Sequence, residues 1–308
     1  MTVICRVDNH GDEYPDVINS FYDLKRFDNG VRDVAIIQGY NLSRDENFHR
    51  TIDDIPYRAY LNLEAPTAFA STDNCIAEQQ RFTHVYTLCP YSCDYANQTG
   101  DTKFIPIPFP YREDCFSPHD YSVKDLDAIY MGTAMNQEHI DIIESMKRYS
   151  YNFCSLGHWG NPTMRGVSSH EKWSVLARTK VSVAINMCPV YEMHKDWIRK
   201  NPNWDKIEAF NNLDYGYFPQ FKPRVIEAAR MKTLNLVKRD PWNVMEYWFE
   251  PDKHFVYWDT IEDLREKMND AIVNFDKYQH IIDAAYKRVQ DFEIDKIMDA
   301  MIKGDIVR

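Results

Sequence analysis

Short apolar blocks of two kinds alternate along this chain, separated by polar and glycine- or proline-bearing stretches. In the first half, Thr2 to Val7, Val34 to Gln38, Tyr57 to Leu63, His84 to Leu88 and Lys103 to Ile107 have the length and content of strands. Asp16 to Arg26 and Thr72 to Gln80 read as helices between them. The second half restarts the alternation: a strand over Asp127 to Met131, a helix from Gln137 to Tyr149, a strand over Tyr151 to Leu156, a helix from Glu171 to Thr179, and a strand over Val181 to Asn186. Ser168 and Glu171 have capping-box spacing, which marks the start of that helix, because hydroxyl and carboxylate satisfy each other's backbone donors. Strands alternating with helices predict an α/β protein whose parallel sheets carry helices on their faces.

Between the halves, Ile105-Pro-Ile-Pro-Phe-Pro-Tyr111 and then Cys115-Phe-Ser-Pro118 read as an extended linker, since prolines cannot donate to a central ladder. The boundary placed there gives domains of 1–118 and 119–308. A chain of 308 residues exceeds what one core usually organises, so two domains are also the expectation from length. At 44% hydrophobic and 14% aromatic residues, the chain has enough apolar material for two cores.

The formal charge of -11 excludes nucleic-acid binding by bulk electrostatics but leaves a local basic groove open. Seven cysteines form no framework spacing and read as buried thiols. Cys89 and Cys93 lack the second pair a zinc site needs. No run approaches the roughly 18 apolar residues of a membrane helix, and Met1 to Arg6 lacks the character of a signal peptide. The expectation is a cytoplasmic protein without membrane insertion.

The stretch from Phe221 to Trp258 is the most informative. Pro223 suits a first helical turn, and Val225, Ile226 and Ala229 form an apolar stripe before the strand Thr233 to Val237. Lys222 and Arg224 flank the orphan N–H groups of that turn, a position that favours a diphosphate. Glu227 lies a turn further in, where a carboxylate can accept from a ribose diol. Ligands of open parallel sheets bind at the carboxyl ends of strands. There, Gly132 and Thr133 offer backbone N–H groups to a phosphate, Gly157 and His158 can frame a base, and Asn186 can reach a sugar. Each pair also has a plain reading as a turn, and Arg224 and Glu227 as a surface ion pair. Asp125-Leu-Asp127 has the D-x-D spacing of a metal site but precedes a strand, so no metal is assigned.

The run K-P-R-V-I-E-A-A-R-M-K, the following strand, Phe249-Glu250-Pro251, and Phe255 to Leu264 together resemble the donor-binding half of GT-B glycosyltransferases, in particular their group-1, spore-maturation-type branch. The resemblance implies two Rossmann-like doubly wound domains facing a cleft. It further implies a nucleoside-diphosphate sugar as co-substrate in the second domain, no other cofactor, an acceptor in the first, and a terminal helix, Tyr278 to Met301, that returns to the first domain. Two features depart from the pattern. A second carboxylate eight positions before Glu227 is replaced by Pro219, and the glycine of the helix-to-strand turn by Met231-Lys232.

Tyr60-Leu-Asn-Leu-Glu-Ala-Pro-Thr67 is similar to the N-F-E-S-P element of α-1,3-fucosyltransferases, which implies Glu64 as general base. Asp8 and His10 follow the first strand and are further catalytic candidates, with a solvated loop as the alternative. His194 to Lys206 interleaves bases with two tryptophans, which suits sugars, unpaired bases or an ordinary surface insertion. The acceptor class thus stays open among glycan, small molecule and a hydroxylated base in DNA of the viral type. An epimerase-like enzyme or a non-catalytic nucleotide-sugar-binding module is the alternative to a transferase.

Overall fold

The computed structural model describes residues 3–7, 34–38, 50, 52–62, 81–97, 101–111, 113, 123–189, 195 and 216–303. The chain divides into two compact units. One comprises Met1–Cys115, Met187–Phe221 and Phe292–Arg308, and the other Phe116–Asn186 and Lys222–Asp291.

The first unit holds a five-stranded sheet in chain order, β1 (Val3–Val7), β2 (Val34–Gln38), β3 (Tyr57–Asn62), β4 (His84–Thr87) and β5 (Lys103–Pro106), with every neighbour parallel. Ala35, Ile52, Tyr60, Phe82, Val85, Cys93 and Phe104 form its core, with the Tyr60 and Phe82 rings stacked at 5.2 Å. A helix not anticipated from the sequence, α1 (Pro90–Ala96), begins on a proline, whose missing N–H is an orphan at that position anyway. Cys89 and Cys93 are buried free thiols one turn apart, and burial raises the Cys93 pKa well above its ordinary value.

The proline run adds something the sequence did not show. It is extended, and Ile107, Phe109 and Tyr111 within it are at most 4% exposed. Proline at alternate positions leaves the intervening apolar side chains free to bury. Pro106 is tolerated because β5 is an edge strand, and the ladder continues where Ile107 donates to Thr87 at 2.9 Å.

The second unit begins with β6 (Leu126–Met131), α2 (Gln137–Met146), β7 (Tyr151–Ser155), β8 (Met164–Arg165), α3 (Ser169–Arg178) and β9 (Thr179–Ala184). The predicted capping box of Ser168 and Glu171 is present. The chain then supplies β10 (Met187–Pro189) and β11 (Tyr217–Pro219), an antiparallel pair in the first unit. It returns with α4 (Pro223–Arg230), β12 (Leu234–Lys238), β13 (Val256–Trp258), α5 (Ile261–Val273) and α6 (Gln279–Val289). Lastly, α7 (Ile294–Lys303) belongs to the first unit, where the Tyr86 hydroxyl donates to the Met301 carbonyl at 3.2 Å.

All six strands of the second sheet are parallel, in the order β13-β12-β9-β6-β7-β8. From β6 the chain winds outward through β7 to β8, then restarts on the other side of β6 with β9 and winds outward again. The direction of winding therefore reverses between β6 and β9. In open sheets of this kind the crevice at the carboxyl ends of such a strand pair is the ligand position. Among the described residues no helix is long and apolar enough to cross a membrane.

Candidate functional site

At the carboxyl edge of β6 the backbone turns through Gly132, whose φ of 130° is a conformation that side-chain-bearing residues rarely adopt. A Cβ placed there would lie 2.7 Å from Cζ of Arg224. The guanidinium therefore rests directly on the Gly132 backbone, and the glycine is needed for close approach as well as for its dihedral. The Arg224 Cζ is also 5.7 Å from the centroid of the buried Tyr130 ring. Burial raises the Tyr130 phenol pKa, and Arg224 partly opposes this.

Helix α4 brings Arg224 to this place. Pro223 opens it, Lys222 is its N-cap without a side-chain cap bond, and no acid stands in its first turn. The cations thus sit at the end where the helix dipole already presents positive charge, an arrangement that disfavours them unless an anion is present. Lys222 and Arg224 are both half-buried.

Asn186, just past β9, fixes the start of the helix: its Oδ1 accepts from the Lys222 amide at 3.0 Å, and its Nδ2 lies 3.3 Å from Met245 Sδ. It is fully buried. The structure therefore places it as a bracket for α4 and not as a side chain open to a sugar.

Glu227 is buried one turn deeper. Its Oε1 accepts from Lys172 Nζ at 2.6 Å and from Trp173 Nε1 at 3.1 Å, both on the first turns of α3. A buried carboxylate with a charged and a neutral donor on one oxygen is held in a fixed orientation. Cys154, at the end of β7, lies close enough to feel both charges, and its pKa is raised by burial first. The loops after β6 and β7 meet, because a Cβ on Gly157 would be 3.1 Å from Thr133 Cγ2. Thr133 and His158 are exposed, as are Leu156 at 60% and Trp159 at 50%.

Four residues of this edge carry no mark in the sequence. Tyr130, Lys172 and Trp173 are brought in by the fold, and the fourth is His139. The Asn136 side chain caps α2 by accepting the His139 amide at 3.1 Å, and the imidazole Nδ1 accepts from the Met135 amide at 2.9 Å. The ring proton is therefore on Nε2. Burial, and then Arg224, lower the His139 pKa to about 4, so it is a neutral donor at pH 7. A lone histidine three residues into a helix gives no sequence signal for this. At the β12 end, Lys238 pairs with Glu138 and lies 5.1 Å from the Trp258 ring centroid.

The structure thus gathers Gly132, Thr133, Gly157, His158, Lys222, Arg224 and Glu227 at one sheet edge or on the helix that ends there. Glu64, Asp8 and His10 lie outside the described residues, as does the 194–206 segment apart from Lys195. Asp125 and Asp127 stand at the opposite, amino edge, bonded to Arg178 and Lys180. Among the described residues no group of three or more His, Cys, Asp or Glu is arranged to hold a metal.

A family model described as glycosyl transferase-like matches residues 138–303. No curated protein sequence matches the chain. Among solved structures, HepE from Anabaena in complex with UDP aligns with a TM-score of 0.62 at 10% identity, covering 99% of both chains. The same protein with UDP-glucose gives 0.60 at 11%, covering 98% of both. The pneumococcal O-GlcNAc transferase GtfA, in complex with UDP and GlcNAc, gives 0.51 at 9% identity over 88% of this chain, which spans 56% of that protein's length.

Proposed function

Since this chain belongs to the glycosyl transferase-like family and has the GT-B fold, we propose that it transfers a sugar from a UDP-sugar to an acceptor hydroxyl, with the donor held by the second unit. The supporting observation is the packing of Arg224 on Gly132 at the point where the winding of the sheet reverses. A donor diphosphate at that edge meets the Arg224 guanidinium, the Lys222 ammonium and the uncapped first turn of α4. Those groups supply the positive charge that stabilises the negative charge building on the leaving UDP. His139 Nε2–H adds a neutral donor that remains protonated on that nitrogen throughout the physiological range.

Glu227 takes the ribose. Lys172 and Trp173 occupy Oε1, so Oε2 is the oxygen left for the diol. Uracil is the base we favour, because HepE was captured with UDP and UDP-glucose on the same fold. The acceptor oxygen attacks the anomeric carbon as the bond from that carbon to the diphosphate oxygen breaks. In an inverting reaction Glu64, two residues beyond the end of β3, receives the acceptor proton. With Pro219 standing where a second carboxylate would be, the stereochemical course is a question for product analysis.

The test is thermal denaturation against UDP-, GDP-, CMP- and dTDP-sugars. A UDP-sugar at about 100 times its dissociation constant should stabilise the fold by about 2.7 kcal/mol. Arg224→Ala should remove about 1.5–3 kcal/mol of that affinity, as expected for a hydrogen bond to a charged group. Absence of any shift across the panel, or an unchanged shift in Arg224→Ala, would overturn the assignment.

A further inference from the structure

The amino edge of the second sheet carries a basic cavity that the transfer reaction does not use. Three adjacent strands contribute one lysine each: Lys124 just before β6, Lys180 at the start of β9, and Lys232 just before β12. With Phe275, Asp276 and Gln279 they line a cavity of about 510 Å³, within the size range of small-molecule sites.

Two features set this cluster apart from a solvated charged face. Lys124 donates to the carbonyls of Thr179 and Met231 at 3.1 Å each and to the Thr233 hydroxyl at 3.4 Å, all neutral acceptors. Among the described residues it forms no ion pair, yet it is half-buried beside a second ammonium, that of Lys232. Burial first, and then Lys232, pull its pKa down to about 7. An ammonium drawn partly out of water without a counter-charge carries a cost, and an anion in the cavity would offset it.

The second feature is backbone. Lys232 has a φ of 51°. It occupies the turn that ends α4, where the Lys232 amide donates to Ala229 at 3.2 Å and the Thr233 amide to Ala228 at 2.9 Å. This is the pattern in which glycine is the usual residue. A lysine there keeps an ammonium at the cavity at the expense of local strain.

We infer that this cavity binds a small molecule through a phosphoryl or diphosphoryl group. Lysines from three neighbouring strands lining one space suit a multiply charged anion. Gln279, the first residue of α6, adds an amide side chain to the lining. Phe275 supplies an apolar wall for the rest of the ligand. Carboxylates limit the charge: Asp276 lines the cavity, Asp127 pairs with Lys180 at 3.1 Å, and Asp283 lies 3.9 Å from Lys232.

The experiment is calorimetric titration of the full chain with inorganic pyrophosphate, which the donor edge also attracts. The wild type should show two classes of site. Lys232→Gly, a replacement the turn accommodates, should weaken one class at least tenfold and leave UDP binding intact. Arg224→Ala should lose the other class and keep the first. Identical titrations of wild type and Lys232→Gly, or loss of all pyrophosphate binding in Arg224→Ala, would overturn the inference. An Arg224→Ala chain with unchanged UDP affinity would instead break the donor-site reading and leave this one standing.

Discussion

The two ends of α4 make an instructive pair, because basic side chains gather at both and for opposite electrostatic reasons. At the first end, Lys222 and Arg224 stand beside uncapped N–H groups. Positive charge there opposes the helix dipole. At the other end, Arg230 and Lys232 stand where the dipole is negative, and each lies over the Tyr286 ring, at 4.8 and 4.7 Å from its centroid. Cations at a helix C-terminus serve the fold, whereas cations at an N-terminus work against it, which is what the proposed diphosphate site would account for. Each end also holds one base pulled below its ordinary pKa, His139 to about 4 and Lys124 to about 7, in each case first by burial and then by a neighbouring cation, Arg224 of α4 for His139 and Lys232 just past α4 for Lys124. Under the proposed function the first end is the donor site, and its charge is the feature that supports that reading. The second is inferred to be a site only from its cavity and its left-handed lysine.

The largest expected effect is a pH dependence at the first end. Because the folded pKa of His139 is depressed, the unfolded chain binds the extra proton between about 6.5 and 4, and stability falls as pH drops through that window. The loss attributable to His139 should be about 2–3 kcal/mol. Asp240 acts the other way: burial raises its pKa to about 6, so its contribution is lost as pH rises from its unfolded value toward 6. The quantity to measure is thus the difference in urea-unfolding free energy between wild type and His139→Gln at pH 7 and near pH 4. It should shrink on acidification. A constant difference would mean that His139 is not neutral beside Arg224, and that the crowding of positive charge at this end is overstated.

A smaller change should come from Gly132→Ala. The added Cβ must displace Arg224, and a φ of 130° strains any side-chain-bearing residue, together costing about 1–2 kcal/mol of stability. The more informative readout is binding. If Arg224 grips the diphosphate from its seat on Gly132, UDP affinity should fall about tenfold in this variant. Normal UDP affinity with only a lowered melting temperature would show that the glycine serves the turn and not the ligand.

How much of this was legible beforehand follows from how far each interaction reaches along the chain. The sheets and the α4 start were readable, because apolar spacing, Pro223 and the Ser168 capping box act within a few residues. Glu227 was readable as a carboxylate one turn into a helix. Its partners Lys172 and Trp173 were not, since nothing local ties positions 172 and 173 to 227. Asn186 shows the reverse failure: its position after a strand suggested a ligand contact, but full burial gives its amide to the Lys222 backbone. Burial of the proline run was not readable either, since proline forbids a ladder bond but not burial. The lysines at 124, 180 and 232 are far apart in sequence and meet only because β6, β9 and β12 are neighbours.

The smallest effect belongs to the second end of α4 and has the opposite sign. Lys232→Gly removes left-handed strain, which for a non-glycine residue is about 1–2 kcal/mol. It also removes the contact with Tyr286, about 0.5–1 kcal/mol at a partly exposed site, and glycine adds entropy to the unfolded chain. The net expectation without ligand is a gain of at most about 1 kcal/mol, or a rise of a few degrees in melting temperature. With pyrophosphate present, the wild type should regain that difference, because only it retains the complete lysine cluster. A variant less stable than wild type without ligand would mean that Lys232 is kept for its contacts within the fold. The two ends of α4 would then no longer differ in degree but in kind, one built for an anion and one for packing.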